Sequence, residues 1–135
     1  MGTEYLHKEL TSKIIRCFYK VYNTLGFGFL EKVYENALKY ELERNGLFVE
    51  NQRPIRVYYE NLVVGEYFAD LMVENKIIIE LKAAESLHEK NEIQLINYLK
   101  ATEIEIGFLF NFGKEPEIRR KIFTKKRIRS NGTLH

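Results

Sequence analysis

The spacing of apolar residues changes after Gly46, and this change is the strongest constraint on the fold. Before Gly46, apolar residues recur at three- and four-residue steps, which is typical of amphipathic helices. After it come β-branched and aromatic runs, which Glu60-Asn61 and Glu74-Asn75 interrupt at hairpin spacing. The sequence therefore predicts two helices followed by an antiparallel meander of three strands.

The boundaries of the predicted elements follow from the same pattern and from the glycines at 26, 28 and 46. We expect helices at about 3–24, 29–45 and 89–101, and strands at about 49–59, 62–73, 76–83 and 104–112. The segment at about 117–128 fits either a last strand or a basic helix. The second helix has the predicted inner face Leu30, Val33, Tyr34, Ala37, Leu38 and Leu42, and the fourth strand has the predicted apolar face Ile104, Ile106, Phe108, Phe110 and Phe112.

The order of these elements predicts the fold class. A helix that crosses between the third and fourth strands places those strands parallel and adjacent, with a right-handed crossover. The expected architecture is therefore α/β (α+β), with a mixed sheet flanked by helices. The length of 135 residues fits a single domain, residues 1–135.

Composition limits the class of protein. Hydrophobic residues make up 45% and charged residues 30% of the chain, which is ordinary for a globular protein. The sequence lacks an apolar stretch of about 20 residues and a signal-peptide pattern, so we expect a cytoplasmic protein with no membrane partner. The single cysteine, Cys17, allows no internal disulfide and no four-cysteine cluster. The three histidines lack zinc-ligand spacing, which argues against a zinc hydrolase.

Positive charge concentrates near the C-terminus. Between Lys114 and Arg129 the sequence has eight basic residues against two glutamates, although the whole chain carries only +2. Such a segment is compatible with binding to a phosphate backbone, and a solvated basic tail is the alternative. The candidate nucleic-acid-binding residues in it are Arg119, Arg120, Lys121, Lys125, Lys126 and Arg127.

Charged residues interrupt two of the predicted strands. Asp70 lies in the second strand, and Glu80 and Lys82 lie two residues apart in the third. Successive side chains on a strand point to opposite faces, so Glu80 and Lys82 share one face while Ile79 and Leu81 fill the other. Charges at apolar positions are costly unless they are paired or bind a metal ion. The alternative is a Glu80 and Lys82 pair that simply neutralises itself at a strand end.

A turn at Glu74-Asn75 brings the acidic residues of the two strands close together. It places Asp70 near Ile79, within one residue of Glu80, and a small register change or bulge would make the two carboxylates adjacent. Two carboxylates with the main-chain carbonyl of Leu81 make a plausible Mg²⁺ or Mn²⁺ site. Lys82 would orient the nucleophile or stabilise developing charge, and the reaction that fits is phosphodiester hydrolysis.

Two helices carry further candidate residues. Glu31 and Glu35 lie one turn apart on the second helix, and at least one of them is expected to bind a cation or to orient a ligand. The alternative is that Glu31 only favours the helix N-terminus and that Glu35 is exposed at the rim. On the third helix, Gln94 is a candidate for holding the attacking water or a phosphate, and Tyr98 for contacting the nucleic-acid backbone. This pair alone is also typical of a packed amphipathic face.

Together, Asp70, Glu80-x-Lys82 and Gln94-x-x-x-Tyr98 resemble the signature of the PD-(D/E)XK nuclease superfamily, especially its RecB/Cas4-like branch. The resemblance covers about residues 5–125, with Ala69 where the superfamily name has proline and without the cluster cysteines of the Cas4-like branch. A second, closer resemblance is to the small GxxExxY protein family of that superfamily. Its namesake segment resembles Gly28-x-x-Glu31-x-x-Tyr34-Glu35-x-Ala37-Leu38.

The resemblance implies a restriction-endonuclease-like αβββαβ core, here with an extra N-terminal helix. It implies Asp70 and Glu80 as metal ligands, Lys82 as the catalytic lysine, Glu31 or Glu35 as an acid from the helix, and Gln94 and Tyr98 as the accessory motif. The resulting hypothesis is a metal-dependent nuclease that cleaves DNA, with RNA as the alternative substrate. A nuclease-fold binding or assembly module without cleavage activity and a purely structural protein are the alternatives, and a homodimer or a protein partner is left open.

Overall fold

The computed structural model describes residues 7–124, and its elements follow the predicted order. The helices are α1 (Lys8–Leu25), α2 (Glu31–Arg44) and α3 (Glu89–Lys100). The strands are β1 (Val49–Tyr59), β2 (Leu62–Val73), β3 (Ile77–Lys82), β4 (Ile106–Phe112) and β5 (Pro116–Ile122). None of the helices in residues 7–124 is both long enough and apolar enough to span a membrane.

The five strands form one mixed sheet in the order β1-β2-β3-β4-β5. The meander of β1, β2 and β3 is antiparallel, and α3 connects β3 to its parallel neighbour β4. The final segment is a strand, because β5 pairs antiparallel with β4 along Ile106–Phe112. The predicted α+β class is confirmed, with the restriction-endonuclease-like order of elements and the extra N-terminal helix α1.

The sheet separates two apolar cores. The larger core lies between the sheet and α1 and α2, where the ring of Phe18 stacks on that of Phe110 with centroids 4.4 Å apart. Cys17 is buried in this core as a free thiol. The smaller core lies under α3 and includes Ile78 and Leu95. The alternation predicted for β3 is therefore present, because Ile79 belongs to the first core and Ile78 to the second.

Tyr34 fixes the connection between α1 and α2. Its hydroxyl donates to the carbonyl of Gly26 at 2.6 Å and accepts from the backbone N–H of Phe29 at 3.2 Å. Its ring stacks on Phe112 with centroids 4.3 Å apart. Between them, Gly28 has a φ of 113°, a conformation that only glycine adopts readily. The tyrosine of the Gly28-x-x-Glu31-x-x-Tyr34 segment thus has a packing role.

Three details of the predicted elements are wrong. Leu30 and Val33 do not belong to the inner face of α2. Leu30 is 80% exposed, because it precedes the helix with an extended backbone, and Val33 is exposed on the helix itself. Helix α1 begins at Lys8 and not at residue 3, since His7 has a left-handed φ of 55°. Ile104 precedes β4 and packs with the core under α3, away from the phenylalanines of that strand.

Candidate active site

The strands β2 and β3 separate at the two acidic residues. They pair only at three positions, from Val73 opposite Ile77 to Leu71 opposite Ile79. The connecting loop has three residues, with left-handed φ angles of 55° at Glu74 and 54° at Asn75. The predicted two-residue turn is therefore wrong by one residue. The longer loop shifts the register so that Asp70 comes opposite Glu80, where the strands part.

Side chains replace the strand hydrogen bonds at this point. The backbone N–H of Asp70 donates to Glu80 Oε2 at 2.8 Å, and the backbone N–H of Leu81 donates to Asp70 Oδ2 at 2.8 Å. We call this reciprocal arrangement the crossed carboxylate pair. It uses one oxygen of each carboxylate, and Asp70 Oδ1 and Glu80 Oε1 are the oxygens outside it.

Burial and mutual repulsion oppose ionisation of the crossed carboxylate pair. Burial, followed by the charge of Asp70, raises the pKa of Glu80 from its usual 4.5 to about 8. The Asp70 N–H and the charge of Lys82 act in the opposite direction but only partly offset these effects. Burial also raises the pKa of Asp70, with a further contribution from the charge of Glu35. Two buried acids with raised pKa values are typical of functional sites and would be stabilised by a bound cation.

Glu35 is the helix acid that joins this cluster. It is 6% exposed, and the amide nitrogen of Gln52 lies 3.2 Å and 3.3 Å from its two carboxylate oxygens. The same nitrogen lies 3.3 Å from Asp70 Oδ1, so Gln52 bridges the two acids. Lys32 pairs with Glu35 at 3.2 Å. The alternative of a rim-exposed Glu35 is wrong, whereas Glu31 is exposed and acts on Asp70 only through its charge.

Sequence reasoning missed Gln52. It lies opposite Asp70 in the register between β1 and β2, yet it drops out of the strand pairing because its φ is +54°. Gln52, Asp70 and Glu80 therefore form one row across three strands. The only sequence signal was the polar run Glu50-Asn51-Gln52-Arg53 inside an otherwise apolar strand. That run does not reveal which of its members turns toward the acids.

Lys82 lies at the end of β3, half-buried and opposite Asn111 of β4. Within residues 7–124 it forms no direct ion pair, and its charge acts on Glu80 from a greater distance. Glu80 and Lys82 therefore form no ion pair in the described part of the chain, and the alternative of a self-neutralising pair does not hold there. Lys82 is placed to act on a third group, such as a bound anion.

Asn111 is a second residue that sequence reasoning missed. It is fully buried, its Oδ1 accepts from the backbone N–H of Ala84 at 2.9 Å, and its Nδ2 donates to the Ala84 carbonyl at 3.0 Å. Nδ2 also donates to Glu117 at 2.9 Å. These bonds fix the chain two residues after Lys82. A lone amide in the apolar run Ile106–Phe112 was the available signal.

Gln94 and Tyr98 form a hydrogen-bonded pair on α3. Gln94 Nε2 donates to the hydroxyl of Tyr98, which is 5% exposed. Burial, and then the charge of Glu80, raises the pKa of Tyr98. The structure thus brings Gln94 and Tyr98 together, within electrostatic reach of Glu80 and without a direct contact to it in the described residues.

The predicted basic residues are only partly available for a phosphate backbone. Lys121 pairs with Glu92 of α3 at 2.6 Å, and Arg119 lies 3.8 Å from Glu92 and 3.3 Å from Glu117. Arg120 is exposed on β5. The other three, Lys125, Lys126 and Arg127, lie outside the described residues.

The donor set suits a cation that keeps part of its water shell. Within residues 7–124, no three histidine, cysteine, aspartate or glutamate side chains are arranged to hold a metal ion by themselves. Mg²⁺, however, usually binds through one or two carboxylates and completes its coordination with water and substrate phosphate. Two adjacent half-buried carboxylates, Asp70 and Glu80, fit this mode, because a cation would relieve their mutual repulsion.

Comparison with known proteins agrees with the architecture. No curated protein matches the chain. Among solved structures, the chain is similar to the protein in the "Crystal structure of SSO0001", with 18% sequence identity and a TM-score of 0.52. The match covers 72% of this chain and 53% of that one, so the chain spans about half the length of that protein and shares its fold.

A family profile of the PD-(D/E)XK nuclease superfamily matches residues 8–121. Nucleases of this superfamily generally use divalent metal ions, which agrees with the donor set described above. The match extends from α1 into β5, and Asp70, Glu80 and Lys82 lie within it. The chain therefore belongs to the PD-(D/E)XK nuclease superfamily.

Proposed function

We propose that the protein hydrolyses phosphodiester bonds in nucleic acid, with DNA as the proposed substrate and RNA as the alternative, using Mg²⁺ or Mn²⁺. The observation that carries this proposal is the crossed carboxylate pair at the point where β2 leaves β3, with Lys82 beside it. Membership of a nuclease superfamily supports the same class of reaction. We also propose that residues 1–135 act as one nuclease domain of the GxxExxY type with RecB/Cas4-like motifs.

Asp70 and Glu80 would hold the cation, together with the main-chain carbonyl of Leu81. When bound, the cation would neutralise charge on a phosphoryl oxygen and lower the pKa of a bound water. We assign the role of the helix acid to Glu35 over Glu31, because Gln52 ties Glu35 to Asp70. Gln52 acts as a positioning residue that keeps the two acids near each other.

Lys82 would stabilise the negative charge that develops on the phosphoryl group. Lys82 is half-buried and its ammonium forms no direct ion pair in the described part of the chain, so a substrate phosphate can become its partner. Gln94 would orient the attacking water or a phosphate oxygen, and Tyr98 would contact the nucleic-acid backbone. Arg119, Arg120, Lys121, Lys125, Lys126 and Arg127 would contribute attraction to phosphates.

The second candidate function is a nuclease-fold module that binds nucleic acid or a protein partner without cleaving it. One observation favours it: the crossed carboxylate pair satisfies two backbone N–H groups and so has a structural use even without a cation.

Cleavage of labelled single- and double-stranded DNA and RNA in the presence of Mn²⁺ tests the proposal. We expect the wild-type protein to cleave, and a chelator and the Asp70→Asn substitution each to abolish cleavage. Glu66→Gln is the matched control, since Glu66 is an exposed acid on the same strand that pairs with Arg56. Equal cleavage by Asp70→Asn and Glu66→Gln would reject the proposed site, and binding without cleavage by the wild type would favour the module.

A further inference from the structure

A groove of about 760 Å³ lies between α3 and the hairpin formed by β1 and β2. We call it the hairpin groove. The residues that matter for its chemistry are Tyr58 and Tyr67 from the hairpin and Lys90, Ile93, Gln94 and Tyr98 from α3. Nothing in the proposed chemistry above accounts for its hairpin side.

The hairpin groove exists because β2 leaves β3 at Asp70. Beyond that point the hairpin continues as a separate two-stranded arm that faces α3. Large rings are exposed along the groove, since Tyr58 is 61% and Tyr67 is 48% exposed. The ring of Tyr67 lies 5.6 Å from that of Tyr98 at an angle of 46°, so the exposed ring of the hairpin packs on the buried ring of α3.

The inner end of the hairpin groove meets the candidate active site. Gln94 and Tyr98 line the groove and are hydrogen-bonded to each other, and Tyr98 lies within electrostatic reach of Glu80 and Asp70. Lys90 and Lys100 line the α3 side and bring positive charge to the groove. A ligand in this groove would run past aromatic rings and lysines directly toward the carboxylates.

We infer that the hairpin groove binds an unpaired strand of nucleic acid and leads it into the site, an inference that rests on the proposed function. Tyrosine rings stack on the exposed faces of unpaired bases, and lysines attract the phosphates. The groove volume falls in the range of about 300–1,000 Å³ that is typical of small-ligand sites. In a duplex the base faces are already stacked on one another, so the tyrosine rings of the groove cannot stack on them.

Binding measurements with Ca²⁺ in place of the catalytic metal test this inference without cleavage. We compare the fluorescence anisotropy of short labelled single strands of DNA and RNA with that of the same sequence as a duplex. The single strands should bind more tightly. Tyr58→Ala should weaken single-strand binding about 5- to 150-fold, the loss expected for one stacked base, and Tyr58→Phe should keep most of the affinity.

Tyr59→Ala is the matched control. Tyr59 is the next residue on β1 and is 68% exposed, but it lies outside the hairpin groove, so its removal should leave binding unchanged. Both tyrosines are exposed, so neither substitution should affect folding, which circular dichroism verifies. Equal effects of Tyr58→Ala and Tyr59→Ala, tighter binding of the duplex, or an absence of single-strand binding would each overturn the inference.

The failure of this inference is distinguishable from failure of the proposed function. Binding that depends on Tyr58 in a protein that never cleaves would keep the groove and reject the nuclease. Conversely, cleavage that depends on Asp70 in a protein whose binding ignores Tyr58 would keep the nuclease and reject the groove. A preference between the DNA and RNA strands in the same titrations would identify the sugar that the groove accepts.

Discussion

The end of β3 is held from both sides by side chains that replace strand hydrogen bonds, and the two sides differ in charge. On the β4 side, the neutral amide of Asn111 exchanges bonds of 2.9 and 3.0 Å with the backbone of Ala84. On the β2 side, Asp70 and Glu80 satisfy backbone N–H groups at 2.8 Å with two carboxylates. An amide meets the same backbone requirement without repulsion between like charges, so the need to hold the strand end does not explain the carboxylates.

The comparison separates a structural role of these side chains from a functional one. The bonds of Asn111 are satisfied within the fold and involve no ionisation. By contrast, burial and the neighbouring acid raise the pKa of Glu80 to about 8, so ionising both carboxylates is costly unless a cation binds to them. We therefore assign the amide side to stability and the carboxylate side to chemistry, and the following predictions test that division.

The largest expected effect is on cleavage by Glu80→Gln. The amide can still accept from the Asp70 N–H, so thermal unfolding should occur at the wild-type temperature or higher. Cleavage should fall at least about 10³-fold, since the contribution of a cation to charge stabilisation amounts to several kcal/mol. Rate measurements and melting curves of the same preparations decide this, and a folded variant with wild-type cleavage would remove Glu80 from the chemistry.

Lys82→Ala should reduce cleavage by about 10² to 10³-fold and leave Mn²⁺ affinity largely unchanged, because the ammonium acts on developing charge and not on the cation. Lys82→Arg should not restore the rate, since a planar guanidinium differs from a compact ammonium. Lys76→Ala, at an exposed lysine in the turn before β3, is the control and should cleave normally. Equal rates for all these proteins would indicate a contaminating nuclease.

Asn111→Ala should destabilise the fold by about 1–3 kcal/mol, because it removes three hydrogen bonds from a buried position. Chemical denaturation measures this change. Asn36→Ala, at an exposed position of α2, should have almost no effect. If Asn111→Ala were as stable as the wild type, the amide side would lose its structural role in the comparison.

The last prediction concerns the pH dependence of stability without metal. The raised pKa means that folded Glu80 binds its proton between pH 4.5 and about 8 while the unfolded residue releases it. This contribution is therefore complete below pH 4.5 and lost as the pH rises toward 8. The melting temperature should fall by roughly ten degrees or more over this range, and Glu80→Gln should flatten the decline. A parallel decline of the melting temperature in the wild type and in Glu80→Gln would contradict the raised pKa of Glu80.

The periodicity of the sequence predicted the three helices and the first four strands, left the last segment open between a strand and a helix, and did not predict the details that build the site. The turn after β2 looked like two residues because Glu74-Asn75 interrupts the apolar runs at hairpin spacing, whereas the pairing of Val73 with Ile77 makes a loop of three residues. Helical spacing puts Glu31 and Glu35 on one stripe. Burial distinguishes them, and burial depends on how α2 packs on the sheet.

The sequence pattern also did not predict the contacts between segments that are distant along the chain. Gln52 reaches both Glu35 and Asp70 because its own positive φ takes it out of the pairing between β1 and β2. Likewise, the basic segment looked uniformly available, yet Glu92 of α3 pairs with two of its members across the sheet face. Pairings of this kind depend on tertiary packing, which a single sequence does not encode as a local pattern.

Calorimetric titration of Mn²⁺ into the wild-type protein, Glu80→Gln and Glu66→Gln tests the central claim most directly, since it measures the cation site without any substrate. The claim that the crossed carboxylate pair is a cation site predicts saturable binding by the wild type and by Glu66→Gln, and at least about tenfold weaker binding by Glu80→Gln. Equal Mn²⁺ affinity in all three proteins, or no saturable binding by the wild type, would contradict it.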